Sequence, residues 1–203
     1  SGELNPGGVQ WMTAGSGVIH SELPHPDFQK TGGVMHGFQI WVNLPAADKM
    51  MKPRYQDIPE ENIPVVSSQD GLVKVRVIAG QSLGQSAVID TMIPITVLHM
   101  TLKPGGKIVQ SLEKGLNGMI YCFSGNLRVD EKALNDGQLG LLNDGDEVYL
   151  SVSDSAKEDV NILFLAGPEI NEPIARYGPF VMNTEQEIMQ AYADYNAGTL
   201  VKN

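Results

Sequence analysis

What most constrains this chain is a period-two alternation of apolar residues, interrupted at short intervals by glycine and proline. Val73-Lys74-Val75-Arg76-Val77 and Ile95-Thr96-Val97-Leu98-His99 carry the alternation, and strand-like runs recur at 38–44, 119–123, 147–152 and 161–166. Successive side chains of a strand point to opposite faces, so this pattern describes strands with one face buried. The breaks have turn chemistry: Pro104-Gly105-Gly106, Ser124-Gly125-Asn126, Asn143-Asp144-Gly145-Asp146 and Ala166-Gly167-Pro168. Short strands at that spacing predict an all-β antiparallel sandwich or barrel. The 22 glycines and 12 prolines favour the same answer over long helices.

Two segments depart from the pattern. Residues 45–68 hold four prolines, at 45, 53, 59 and 64, and read as an ordered non-sheet connection between two halves. Near the end, Thr184-Glu185-Gln186-Glu187 has the form of a capping box. Ile188, Ala191, Tyr192 and Tyr195 then share a helical stripe, and Gly198 stands where a helix would stop. The spacing predicts an amphipathic helix over 185–196 that packs on the β body.

Charge narrows the function. Lys+Arg 14 against Asp+Glu 24 gives a net charge of −10 and a pI near 4.7. A protein with that field does not grip phosphate backbones by its bulk charge, so direct nucleic-acid binding is not expected. Ile162–Ala166 is the longest uncharged apolar run and is far too short to cross a bilayer, so no membrane partner is expected either. No charged-then-apolar leader is readable. Cys122 is the single cysteine and requires no oxidising compartment. The expected location is the cytoplasm.

The stretch richest in chemistry is GGVQWMTAGSGVIHSE at 7–22. On a strand, His20 and Glu22 would point to the same face, and an imidazole beside a carboxylate is a partial ligand set for iron. By themselves the two residues leave a metal half-site and an ordinary hydrogen-bonded surface pair both open. His99 has no second ligand type two residues away and reads as a core or barrel-lining histidine, so no metal is expected in the second half. Cys122 reads as a small buried hydrophobe.

The words around the motif carry further. GGVQWMTAGSGVIHSE, HGFQIWVNLP at 36–45, KPRYQ at 52–56, IAG at 78–80, LAGP at 165–168 and YGPFVMNTEQEI at 177–188 stand in order along nearly the whole chain. Together they resemble the pirin family. That resemblance implies a bicupin: two antiparallel β-barrels of the cupin, jelly-roll type, with a short C-terminal helix. It implies the domains 1–68 (remaining part of the N-terminal cupin plus linker), 69–182 (C-terminal cupin) and 183–203 (helix and tail). It also implies one Fe(II) in the first barrel, with His20 and Glu22 as the second pair of metal ligands and Glu22 as the catalytic carboxylate.

The family's first ligand pair, a His-x-His, precedes the GGVQWMTAG motif and is not among these residues. The chain therefore resembles a pirin whose first barrel is incomplete, and its iron is expected to be weak or absent. His25 and His36 are not in positions to replace the pair. A smaller departure is Gly8, where the family usually has Asp. The resemblance implies activity of two kinds. One is a quercetin 2,3-dioxygenase acting on a small aromatic substrate such as a flavonol. The other is an iron-dependent transcriptional co-regulator, nuclear in a eukaryote, that works through contacts with protein partners such as transcription factors. A bicupin without turnover is the third reading.

Overall fold

The computed structural model describes residues 2–201. The strands run β1 (Val9–Thr13), β2 (Arg54–Ile58), β3 (Val65–Ser67), β4 (Val73–Ala79), β5 (Gln81–Ser82) and β6 (Gln85–Ser86). They continue with β7 (Thr96–Leu102), β8 (Lys107–Ser111), β9 (Leu116–Ser124), β10 (Asn126–Val129) and β11 (Lys132–Asn135). The last are β12 (Leu139–Leu141), β13 (Glu147–Ser151), β14 (Val160–Pro168), β15 (Ala175–Tyr177) and β16 (Phe180–Met182). Helices are few: α1 (Pro26–Thr31), α2 (Ala46–Lys49) and α3 (Glu185–Asn196).

The chain divides into two compact units. The larger holds residues 5–9 and 58–169; the smaller holds the described parts of 1–4, 10–57 and 170–203.

In the larger unit a six-stranded sheet, ordered β12-β9-β14-β7-β4-β3, faces a four-stranded sheet, β11-β10-β13-β8. Their inner faces share one core, with Val75, Leu98, Met100, Ile120, Ile162 and Phe164 from the first sheet and Ile108, Leu127, Val148 and Leu150 from the second. The alternation read from the sequence is the burial pattern itself: Val73, Val75 and Val77 are fully buried while Lys74 points out. Strand β14 is central. Phe164 pairs with Leu98 on one side and Ile120 on the other, which places the largest fully buried side chain of the unit at the middle of the sheet. Emptying such a site removes apolar contact and leaves a cavity, at a cost of about 3–5 kcal/mol for Phe→Ala.

The smaller unit is less regular. Strands β1 and β2 pair with each other, and β15 with β16. Helix α3 starts as the sequence predicts. Thr184 Oγ1 accepts from the Glu187 amide (3.2 Å), and Glu187 Oε2 accepts from the Thr184 amide (2.8 Å). The helix packs on the β15–β16 hairpin, with Ile188 buried. Tyr192 stacks edge-on against Phe180, 5.0 Å between centroids, and tilts against Tyr177 at 5.6 Å.

Four expectations need correction. Residues 38–44 form no strand and lie exposed or half-exposed. A β-like composition shows which side chains resist water, not that a pairing strand lies alongside. Residues 45–68 are not free of sheet, since β2 and β3 both fall inside them. Ala166-Gly167-Pro168 is not a turn but the end of β14, because Ala166, Gly167 and Pro168 pair with Gly118, Asn117 and Leu116. Tyr195 leaves the apolar stripe and is 51% exposed, whereas Tyr192 is held by the Tyr177 and Phe180 rings of the hairpin.

Candidate functional site

The path to His20 is set by a glycine turn. After β1 the backbone folds back so that the Ser16 amide donates to the Met51 carbonyl at 2.8 Å. Gly15 has φ +52, and a Cβ there would collide with that same carbonyl oxygen. Only glycine satisfies both demands. From Val18 to His25 the chain is irregular rather than a strand, which corrects the expectation for 20–22. The pair still converges: His20 Nδ1 lies 3.7 Å from Glu22 Oε1, with side chains 37% and 61% exposed.

The other two histidines of this unit are engaged elsewhere. His25 caps α1, its Nδ1 accepting from the Asp27 amide at 3.2 Å, and its Nε2 lies 3.6 Å from Glu3 Oε1. The His36 ring tilts against Phe38, 5.3 Å between centroids. Trp41, another residue of the 36–45 motif, carries the Arg176 guanidinium over its ring at 5.1 Å. Among the described residues no three or more His, Cys, Asp or Glu side chains form a group able to hold a metal. The donor chemistry of His20 and Glu22 thus suits two positions of a transition-metal site but does not complete one.

His99 sits on the face of β7 opposite Leu98 and Met100, outside the core of the larger unit. Its Nε2 is 3.3 Å from Asn161 Oδ1, and its ring tilts against Phe123 at 5.5 Å. Burial holds the imidazole below its ordinary pKa; the Asn161 bond opposes this, while Arg76 and Lys74 add to it. Cys122 is buried, as expected, and burial pushes its thiol up.

Sequence reading missed Lys49. Its side chain is buried and donates to Asn43 Oδ1 at 2.6 Å. Burial draws its pKa down, against the pull of Glu172 and Glu187. Glu172 Oε2 in turn accepts from the Ala46 amide (2.7 Å) and from Asn183 Nδ2 (2.8 Å). This network ties the end of the 36–45 motif to the segment before α3. No pattern in the sequence marks a lysine among alanines as buried.

The comparisons with known proteins bear on the family and the fold. The pirin C-terminal cupin domain profile matches residues 97–201, and the pirin profile matches residues 1–42. The chain belongs to the pirin family. It is 39% identical to a Pseudomonas aeruginosa protein provisionally named a quercetin 2,3-dioxygenase, over 99% of this chain and 69% of that one. It is 37% identical to human pirin, over 96% of this chain and 66% of that protein. This pirin-family chain therefore spans about two thirds of the length of such relatives. Among solved structures, a quercetin 2,3-dioxygenase from Acinetobacter baumannii superposes with a TM-score of 0.89 at 37% identity, covering 96% of this chain and 67% of that one. The cupin fold expected from the resemblance is what the paired antiparallel sheets form. Among the described residues no helix is long and apolar enough to cross a membrane.

Proposed function

We propose that this chain is part of a quercetin 2,3-dioxygenase-type bicupin, with His20 and Glu22 as two ligands of one ferrous ion. The observation that supports this is the convergence of the two side chains, 3.7 Å apart and open to solvent, inside a pirin motif. A bound iron would supply open positions at which a deprotonated flavonol and oxygen meet. His20 offers a neutral ring nitrogen, and Glu22 a carboxylate oxygen. The second oxygen of Glu22 would take the proton of the flavonol hydroxyl. Ile19, Leu23, Val34 and Met35, all strongly exposed, lie along the same stretch of chain as the pair. In this reading residues 1–68 are the remaining part of the N-terminal cupin plus linker, 69–182 form the C-terminal cupin, and 183–203 the helix and tail.

Oxygen uptake with quercetin and added Fe(II) tests the proposal. Weak turnover in the unaltered protein, lost in both His20→Ala and Glu22→Ala, is the expected result. Uptake equal in all three sinks the residue roles, and no uptake at all sinks the enzymatic reading. A net charge of −10 favours the second reading, a co-regulator that meets proteins rather than DNA. Iron-dependent, salt-insensitive capture of a transcription factor without turnover would point there.

A further inference from the structure

A cavity of about 770 Å³ opens within the larger unit, beside the β5–β6 hairpin, strand β8 and the segment leading into β7. Its size suits a ring-bearing small molecule. Ile89, Ile95 and Leu112 give it buried apolar walls. Two polar side chains line it from inside the protein: Ser82, 3% exposed, and Gln110, 5% exposed.

Their bonding leaves one valence open. Ser82 Oγ donates to Gln110 Oε1 at 2.7 Å, and Gln110 Nε2 donates to the Ser111 carbonyl at 2.9 Å. A primary amide has two N–H groups, and the second of Gln110 meets no acceptor among the described residues. A buried N–H left without an acceptor is unfavourable, and an acceptor brought in by a ligand would satisfy it. The charged residues of the lining are Asp90 and Glu113, both acidic and both exposed. No lysine, arginine or histidine lines the cavity. An organic anion would meet the Glu113 carboxylate with no cationic side chain in the lining.

We propose that this cavity of the C-terminal cupin is a metal-free binding site for a neutral or cationic ring compound. The compound places a hydrogen-bond acceptor against Gln110 and its outer end toward Glu113. The site is separate from His20 and Glu22 and stands or falls without them.

The test is titration of the isotopically labelled protein, followed by amide NMR, with three probes of one size. Tyramine has a phenolic oxygen at one end and an ammonium at the other. 2-Phenylethylamine lacks the oxygen, and 3-(4-hydroxyphenyl)propanoate replaces the ammonium with a carboxylate. Tyramine should shift the amides of Ser82, Gln110 and Leu112 saturably. It should bind about fivefold more tightly than 2-phenylethylamine, the factor one hydrogen bond of about 1 kcal/mol supplies. The propanoate should bind more weakly than tyramine.

Gln110→Leu should erase the difference between the two amines. Glu113→Lys alters an exposed position that does not threaten the fold, and it should shift preference toward the propanoate by roughly threefold or more, as exposed charge pairs allow. Failure of tyramine to saturate, shifts centred elsewhere, or a propanoate affinity equal to tyramine's in the unaltered protein would overturn the proposal. So would a Glu113→Lys protein whose preference is unchanged.

Discussion

The hydroxyl of Tyr192 occupies the space that a Cβ on Gly178 would need. Gly178 turns the β15–β16 hairpin at φ +55, a conformation that side-chain-bearing residues resist, and α3 closes over it. The helix and the hairpin therefore fit only as a pair: the turn needs a glycine, and the missing side chain makes room for the tyrosine.

Both halves of that fit are testable by thermal unfolding. Tyr192→Ala removes two aromatic contacts, at a cost of about 1–3 kcal/mol. It should lower the Tm by several degrees, at roughly 2–4 °C per kcal/mol for a protein of this size. Gly178→Ala should also lower it, through strain and the clash. A Tm unchanged in Tyr192→Ala would show that α3 contributes nothing to the folded state.

The start of α3 responds to acid. Its capping bonds to Thr184, and those from the Asn183 and Thr184 amides, hold the Glu187 carboxyl below its ordinary value of 4.5. A depressed carboxylate stabilises the fold above its unfolded pKa, and that contribution disappears as pH falls through the folded pKa. Acid unfolding of Glu187→Gln should therefore be less steep below about pH 4.5 than that of the unaltered protein. Thr184→Ala should cost about 1 kcal/mol at neutral pH. Equal acid sensitivity in Glu187→Gln would contradict the capping account.

His99 gives the opposite end of the titration argument. Its folded pKa lies below 6.5, so between the two values the unfolded chain binds more protons than the folded one. Stability then rises with pH across that window and falls as acid is added from 6.5 downward. The groups facing it, Arg76, Lys74 and Asn161, offer no anion to reverse the sign. Chemical denaturation of His99→Gln at neutral and mildly acidic pH should show a smaller loss on acidification. A loss as large as in the unaltered protein would assign the sensitivity to other groups.

Much of the fold was legible because period two reports burial directly. Val73, Val75 and Val77 alternate in the sequence for the same reason that they are fully buried in β4. The capping box marked the start of α3, because Thr184 and Glu187 each bond the other's backbone amide there. Residues 38–44 misled because a strand exists only where a second strand pairs with it, and that information is not local. The candidate site was legible only as a pair. The His-x-Glu spacing named two residues whose side chains come within 3.7 Å, but on irregular chain rather than on the strand that the spacing assumed. Lys49 was invisible, since its burial depends on Asn43, Glu172 and Glu187, which only the fold assembles.

The pairing of His20 with Glu22 as metal ligands is tested most directly by adding Mn(II) or Co(II) to the labelled chain and following paramagnetic loss of amide signals. Two ligands with open positions should hold the ion loosely, so the effect should grow gradually with metal. The signals of Ile19 to Leu23 should vanish first, and His20→Ala and Glu22→Ala should each abolish that early loss. If signals around Glu3, His25 and Asp27 vanish first instead, or if the loss at 19–23 survives both substitutions, His20 and Glu22 are not ligands.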